Sequence, residues 1–190
     1  MAMKTVSELT MAFMGVSTLR YKKTSAKLTA AQEWDYEFPV LRDSVNFTQG
    51  EISRNQAFIH GSSRAYATAA GEPASTTLTF FVPSINADVQ TAFGNTASGT
   101  PATLSDGTGY WKPVGSGVNL TEKQLSGMAM LISQDKKYAL VIKNLEGYAS
   151  VQFDAPSTKP LGYNVSFDVS GITEGDTDGD VVLYKYSTTS

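Results

Sequence analysis

Residues Val40–Gly61 read VLRDSVNFTQGEISRNQAFIHG, and this stretch decides the fold. In its first half, Leu41, Val45 and Phe47 occupy one parity and polar residues occupy the other. Asp43 is the exception on the apolar side. A period of two is typical of a strand with one buried and one wet face. The first half therefore predicts a half-buried β-strand.

The second half of the stretch resumes as a strand-like run over Ile52–His60, after an interruption at Gln49–Glu51. We predict a hairpin or a sharply bent pair of strands, with Gly50 where the chain turns. Both parities of the second run carry polar residues, among them Arg54 and Gln56. A strand that is wet on both faces holds its register poorly alone. We therefore expect another surface, such as a neighbouring subunit, to cover it.

Composition excludes several classes of function. The 190 residues suit one domain with its own core, residues 1–190. The chain has no cysteine, which excludes disulfides and thiolate metal sites, and His60 is its one histidine. A formal charge of -3 argues against a nucleic-acid-binding surface. No apolar run approaches the ~20 residues that span a bilayer, and the N-terminus lacks a convincing signal peptide. We predict synthesis in the cytoplasm.

The first 39 residues are expected to form an N-terminal arm and the first strands. Residues 1–15 favour a short helix or an arm, Val16–Lys22 a strand, and Ala26–Gln32 has modest helix propensity. Three aromatic residues then alternate with acids and share one face of an extended segment, which indicates packing in the core or at a subunit interface. They are Trp34, Tyr36 and Phe38.

A strand and the best helix of the sequence follow the deciding stretch. Residues 62–70 are small and polar, Gly71–Pro73 is a turn, and Thr76–Pro83 alternates as a strand. The helix has Ser84 or Asn86 as its N-cap and a glycine as its left-handed stop. The stop is Gly94. The apolar positions have the spacing of one buried stripe and are Ile85, Val89, Ala92 and Phe93.

The C-terminal half adds strands. A capping box at Thr121 and Gln124 predicts one helical turn before them. The predicted strands are Met128–Ile132, Tyr138–Ile142, Ala149–Phe153, Tyr163–Val169 and Val181–Tyr186. The second is apolar on both parities, so we place it at the centre of its sheet. These runs together predict an all-β domain with one flanking α-helix.

Residues 95–120 form a long Gly/Ser/Thr-rich loop around Tyr110 and Trp111. A structureless loop of this length is uncommon in a compact domain and is usually functional. Its glycines lack the spacing of a dinucleotide fingerprint, and no Gly-Lys-Ser/Thr occurs. A loop with an aromatic pair is suited to contact a neighbouring subunit.

Sites for catalysis or metal binding are not indicated. Oxygen ligands at Asp176, Asp178 and Asp180 suggest calcium, but the glycine and glutamate of an EF-hand loop are misplaced. We therefore predict a solvated acidic hairpin tip there. Residues 115–117 read Gly-Ser-Gly but do not form the elbow that exposes a nucleophilic serine. We predict no catalytic residue, no metal and no cofactor.

Three segments follow one another in order: Asp43–Ser53 (DSVNFTQGEIS), Gly71–Pro73 (GEP) and Thr77–Ser84 (TLTFFVPS). This run, within residues 40–94, resembles the tail tube proteins of tailed bacteriophages. The resemblance implies two packed antiparallel sheets in a sandwich or barrel, with a flanking helix, a long loop and an N-terminal arm. It also implies a structural, non-enzymatic subunit of hexameric rings, stacked into the hollow tube through which DNA leaves the capsid.

The resemblance also implies partners and a location. The partners are further copies of the chain and other tail proteins, such as tape measure, terminator and baseplate components. DNA would pass without specific binding, because an acidic lining repels a polyanion. No membrane is involved, and the location is the virion tail, after synthesis in the bacterial host cytoplasm.

We predict that the function lies in the interfaces. Rings would close head-to-tail through pairing of edge strands. The chain has one basic cluster, which begins at Arg20. Such a cluster usually lies at the solvated end of a strand. Alternatively, it contacts the acidic hairpin tip of a subunit in the adjoining ring. The predicted interface residues are Arg20, Lys22, Lys23, Lys27, Arg54, Gln56, Tyr110, Trp111, Glu174, Asp176, Asp178 and Asp180.

Two other functions stay open at the level of sequence. A carbohydrate-binding or adhesin-like β-sandwich would use Trp34, Tyr110 and Trp111 as stacking platforms. A glycosidase of β architecture would use a pair of carboxylates, which no spacing identifies here. The first predicts a monomer whose tryptophan fluorescence responds to sugar, and the second predicts turnover that depends on two acids.

Overall fold

The computed structural model describes residues 15–188, except 42, 59, 62, 64, 84, 85, 154–159 and 171–175. The fold is all-β with one helix, as predicted. Its strands are β1 Val16–Lys22, β2 Tyr36–Pro39, β3 Asn46–Thr48, β4 Ile52–Phe58, β5 Ala65–Pro73, β6 Thr77–Pro83, β7 Asn95–Thr96, β8 Leu104–Ser105, β9 Tyr110–Trp111, β10 Val118–Asn119, β11 Lys123–Ser133, β12 Tyr138–Gln152, β13 Gly162–Val169 and β14 Val181–Lys185, and its helix is α1 Ala87–Phe93.

The main sheet is antiparallel and has the order β2-β1-β11-β12-β13-β6-β3, with β14 also paired to β12. The long strand β12 changes neighbour along its length: residues 138–142 pair with β14, and residues 145–152 pair with β13. Between them, Asn144 has a positive φ of 54°. The register with β11 shifts at the same level, between Gly127 and Ala129. The sheet therefore bends here into two halves.

One core lies between the two halves and is covered by α1. The Tyr21 ring of β1 stacks 6.0 Å from the Phe167 ring of β13, and Phe93 of α1 lies 5.7 Å from Tyr21 and 5.1 Å from Phe38. The Leu41 N–H donates to Phe81 O at 3.1 Å, which joins the end of β2 to β6. These contacts bring the two ends of the sheet together around the core.

The helix is confirmed, but its end differs from the prediction. Asn86 is the N-cap, since its Oδ1 accepts from the Val89 N–H at 3.0 Å. Ser84 and Ile85 lie outside the described residues. Gly94 is extended, with φ -89° and ψ 150°, so the predicted left-handed stop is wrong. A Cβ at Gly94 would lie 2.5 Å from the Tyr163 hydroxyl, so glycine is needed for close packing of the helix end on β13.

The deciding stretch forms two strands that pair with different partners. β3 pairs with β6, and β4 pairs with β5, so the predicted hairpin between its two halves is wrong. The predicted turn at Gly71–Pro73 is also wrong, because these residues belong to β5. Gly50 does not reverse the chain: its Cβ would lie 1.6 Å from Ala74 O, where the neighbouring strand passes. β3 and β4 together run against β5 and β6 as one long bent ribbon. This arrangement agrees with the alternative to the hairpin that we predicted, a sharply bent pair of strands.

Three further local predictions are wrong. Thr121 and Gln124 do not start a helical turn, because β11 already begins at Lys123. The predicted strand at residues 149–153 is not separate, because β12 continues through Gly147 to Gln152. Residues 26–32 contain no helix. At Gly147 a Cβ would lie 1.9 Å from Ser166 O, so this glycine permits close strand packing and does not interrupt the strand.

Candidate assembly surfaces

The ribbon of β4 and β5 lies outside the core. Among elements in the described ranges, β4 and β5 pack extensively only against each other. Ala57 faces Ala67 across the ribbon, and both side chains are exposed. Gln56, on the opposite parity, is exposed as well. Both faces of this ribbon, which we call the β4–β5 ribbon, therefore present exposed residues.

The root of the β4–β5 ribbon is held tightly. The Ala74 N–H donates to Glu51 O at 3.0 Å, and the Gly50 N–H donates to Thr76 Oγ1 at 3.1 Å. The ribbon is therefore continuous with β3 and β6 of the main sheet, and its seven-residue β4 extends about 24 Å at ~3.4 Å per residue. Of the predicted interface residues, Gln56 lies here exposed, and Arg54 lies in β4.

Residues 95–120 are not the structureless loop that the composition predicted. β7 pairs with β10 at the base, and β8 pairs with β9 in a small hairpin beyond it, which we call the aromatic hairpin. Leu104 faces Trp111 in this hairpin. Tyr110 is 75% exposed and Trp111 68% exposed. Two predicted interface residues are therefore displayed to solvent on a short two-stranded hairpin.

A turn stiffened by Asp106 holds the aromatic hairpin. Asp106 Oδ1 accepts from Thr108 N–H at 2.9 Å, from the Thr108 hydroxyl at 2.8 Å and from Gly109 N–H at 2.7 Å. These hydrogen bonds, led by the one from the Thr108 N–H, lower the pKa of Asp106 to about 2. These hydrogen bonds favour the ionised carboxylate, and the ionised carboxylate in turn holds the backbone of the turn.

The predicted basic cluster is engaged within its own chain. Arg20 of β1 faces Glu37 of β2, and Arg20 Nε lies 2.6 Å from Glu37 Oε2. Lys22 Nζ donates to the Glu33 carbonyl at 3.3 Å. The Lys23 ammonium lies 5.2 Å from the centre of the Tyr36 ring. These contacts are on the surface, in agreement with a solvated strand end, and the contact with an adjoining ring stays a prediction.

The acidic segment differs from the solvated tip that we predicted. The Lys143 ammonium donates to Asp176 Oδ2, and the two side chains are only 1% and 4% exposed. This hydrogen bond, then one from the Asp178 N–H, and to a smaller extent the charge of Lys27, lower the pKa of Asp176 below its ordinary value. The solvated tip is therefore wrong for Asp176. Glu174 lies outside the described residues.

Asp180 also serves the interior of the fold. Its carbonyl accepts from the Lys143 N–H at 2.8 Å, and its Oδ1 accepts from Asn144 Nδ2 at 3.1 Å. The Asn144 N–H donates to Ser25 Oγ at 2.7 Å. Asp178 is exposed. The bend of β12 is thus a polar junction that joins three segments, namely β12, residues 176–180 and the residues around Ser25, and sequence reasoning did not predict this junction.

The aromatic trio of residues 34–38 divides between two faces of the sheet. Tyr36 and Phe38 stack with ring centres 5.4 Å apart, and Phe38 is buried in the core as predicted. Trp34 instead lines a groove with Met130 and Val141 on the face away from the core. A single shared face is therefore wrong for Trp34.

A groove that sequence reasoning missed lies on β6, β13 and β12. Its volume is about 680 Å³. Exposed polar residues of β12 and β13 line it, among them Ser150, Asn164 and Ser166, and so do the buried residues Phe80 and Val165. The charged residues that line it are Asp43 and Glu122, both exposed. No Lys, Arg or His is among its lining residues in the described part of the chain. We call it the acidic groove.

The comparisons with known proteins add no relative. No protein-family model, curated protein or solved structure matches the chain. Within the described ranges, no helix is long and apolar enough to cross a membrane. Over the same residues, no three His, Asp or Glu side chains cluster closely enough to hold a metal ion.

Proposed function

We propose that this chain is a structural subunit that self-assembles into stacked, hexameric rings and forms a phage tail tube, the conduit for DNA ejection. The observation that carries the proposal is the β4–β5 ribbon, which presents exposed residues on both faces. The resemblance to tail tube proteins covers the segment that forms this ribbon and its root. The role is structural and includes no catalytic step.

The ribbon supports assembly because of its energetics. An isolated two-stranded ribbon is at best marginally stable in water. Ala57 and Ala67 on one face and Gln56 on the other are exposed, so these described side chains of the ribbon are not covered within the subunit. A second copy of the chain that covers one face would provide the missing layer. If the ribbon contacts a different surface of that copy, the contact is heterologous, which is the type of contact that builds a ring when its rotation closes.

Free sheet edges support the same proposal. β14 pairs only with β12, and β3 pairs only with β6, so each leaves one edge open in the described sheet. Leu183 and Tyr184 of β14 are exposed. Exposed edge strands pair readily with another chain. Pairing between copies would satisfy these edges and continue the sheet around a ring.

The charge supports passage of DNA without binding. The formal charge of the chain is -3, so a ring of six copies carries a net negative charge. A negative lining repels the phosphate backbone and prevents it from adhering. The proposed protein partners are the tape measure, terminator and baseplate components at the ends of such a tube, in the virion tail.

Negative-stain electron microscopy of concentrated protein, with its mass in solution, tests the proposal. Rings or long hollow tubes are the expected result. A monomer at every concentration, also after addition of the proteins that start a tail, would refute it.

A second candidate function is favoured by one observation. Trp111 and Tyr110 are exposed on a stiff hairpin, which is the arrangement of an aromatic platform for carbohydrate stacking. Trp34 lies in a separate groove. Tyr110 and Trp111 are consecutive residues of β9 and point to opposite faces, so each ring would be a separate platform. A monomer whose tryptophan fluorescence changes with sugar would favour this function over the tube.

A further inference from the structure

An apolar cleft lies beside the base of the aromatic hairpin. It consists of two adjoining cavities of about 240 and 110 Å³, which share the lining residues Val118, Leu120, Val151 and Tyr163. Leu120 is 89% exposed, and Val151 and Leu161 are 38% and 47% exposed. Exposed apolar side chains that share one concave surface are typical of a binding site. We call this surface the apolar cleft.

One face of the aromatic hairpin matches the apolar cleft. Leu104 and Trp111 are direct cross-strand partners, so their side chains lie on the same face. They are 64% and 68% exposed. The Asp106 carboxylate accepts a hydrogen bond from the Trp111 side chain, which holds the indole in place before any contact. Tryptophan is among the residue types that anchor protein interfaces, and an anchor that is already ordered loses less entropy on binding.

One charged residue on each surface adds to the match. Glu122 is the charged residue that lines the apolar cleft in the described part of the chain, and Lys112 directly follows Trp111. Both side chains are exposed, and among the described residues neither takes part in an ion pair. Opposite charges beside an apolar contact favour one orientation of the two partners.

We propose that the hairpin face with Leu104 and Trp111 docks into the apolar cleft of a second copy and places Lys112 beside Glu122 of that copy. The proposal rests on the proposed function and names the surface that receives the aromatic hairpin. Residues 112–117 join β9 to β10 and span up to about 20 Å at ~3.4 Å per residue, which is enough to reach a neighbouring molecule. Both surfaces are exposed in the subunit, so the hairpin does not fill its own cleft. Because the two surfaces differ, the contact is heterologous and can repeat from copy to copy.

Charge exchange tests the contact. Lys112→Glu and Glu122→Lys should each raise the protein concentration needed for assembly by about tenfold, since like charges then face each other. The double variant should assemble at nearly the concentration of the original chain. The matched controls Lys136→Glu and Glu146→Lys make the same charge changes at exposed positions outside the hairpin and the cleft, and should assemble normally. Equal effects of variants and controls, or a double variant no better than the single ones, would overturn the proposal.

The apolar part of the contact has its own test. Leu120→Ser should raise the concentration needed for assembly several-fold and change the stability of the subunit little, because the side chain is 89% exposed. Leu120→Met keeps an apolar side chain of similar volume and should assemble as the original chain does. If Leu120→Ser assembled as well as Leu120→Met, the apolar cleft would not be the docking surface.

Cysteine crosslinking gives an independent readout, because the chain has no cysteine of its own. Leu104→Cys in one batch and Leu120→Cys in another should form a disulfide between the two variants when they are mixed, assembled and oxidised, and this bond is necessarily intermolecular. Gln134→Cys, exposed and outside the cleft, replaces Leu120→Cys as the control. If a chain with both cysteines formed the disulfide only within itself, the hairpin would occupy its own cleft and the proposal would be wrong.

Charge rescue and crosslinking distinguish the failure of this inference from the failure of the proposed function. Tubes that form without the crosslink between positions 104 and 120 and without charge rescue would overturn the docking and leave the tube intact. A chain that stays monomeric and forms no crosslink would overturn both.

Discussion

Lys143 and Asp176 form an ion pair inside the protein, with side chains 1% and 4% exposed. Lys143 lies in β12 at the bend between the two halves of the sheet. Asp176 lies in the segment before β14. The pair therefore attaches the last strand to the centre of the sheet.

Removal of Lys143 alone should be severely destabilising. Lys143→Ala leaves the Asp176 carboxylate without its cation, and loss of one partner of a buried pair is destabilising. The double variant Lys143→Met with Asp176→Leu should recover most of this loss, because both charges leave together. Urea unfolding of the two variants measures the difference. If the single and the double variant lost the same free energy of unfolding, the site would contribute through side-chain packing and not through its charges.

The same pair predicts a pH dependence of stability. The hydrogen bond from Lys143 lowers the pKa of Asp176 in the folded protein below the ordinary value of 3.8. A lowered folded pKa contributes stability above the unfolded pKa, and this contribution is lost as pH falls through the folded pKa. The stability gap between the original chain and Asp176→Asn should therefore narrow below about pH 4. Asp178→Asn, on an exposed residue, is the control and should show a smaller gap.

Gly50→Ala should disturb the ribbon more than the core. The new Cβ would lie 1.6 Å from Ala74 O, so the root of the ribbon must open. We expect assembly to be lost while the aromatic core keeps its near-UV circular dichroism. Gly99→Ala is the matched control, because a Cβ there has nothing within 4 Å. Normal assembly of Gly50→Ala would mean that the root geometry is not required.

Trp111→Ala should leave the subunit stable and weaken its assembly. The side chain is 68% exposed, and exposed substitutions usually change stability by within about 0.5 kcal/mol. If the aromatic hairpin contacts a neighbour, the concentration needed for tubes should rise several-fold. An unchanged assembly with a lost response to sugar would instead favour the carbohydrate function.

Reversal of the basic cluster should separate rings from tubes. Replacing Arg20, Lys22, Lys23 and Lys27 by Glu is expected to block stacking and to spare ring formation, as seen by electron microscopy. Since Arg20 pairs with Glu37 in its own chain, Arg20→Glu alone serves as the control for local repulsion. Tubes of normal length from the fourfold variant would refute a role of this cluster in stacking.

The sequence predicts the local elements well because their signals are local. Alternation in Tyr163–Val169 gives β13, and the apolar stripe with Asn86 gives α1. The partner of β3 was not predicted, because β6 lies far along the chain and pairs Phe47 with Leu78. β4 pairs with the next strand, β5, which was missed because residues 62–70 are small and polar. Gly50 shows the reason: it looks like a turn residue, but its role is contact with Ala74.

The buried polar junction was missed, although a signal exists. Lys143 interrupts the apolar run of residues 139–142, and a cation within a central strand requires an internal anion. The sequence does not say which acid supplies it. Asp176 is 33 residues away, in a segment that composition alone marks as a wet turn. The acidic groove has no sequence signal either, because its lining comes from several separate strands and loops.

The bend in β12 has a consequence for how the subunit opens. A single strand that belongs to both halves of the sheet couples them, so neither half can melt while the other stays folded. Amide hydrogens of β12 should exchange with solvent only through global unfolding. Those of β4 and β5 should exchange early in the free subunit and become slow in the assembled one. Deuterium uptake along the chain should thus be slow in β12 in both states, and in β4 and β5 it should fall when the subunits assemble.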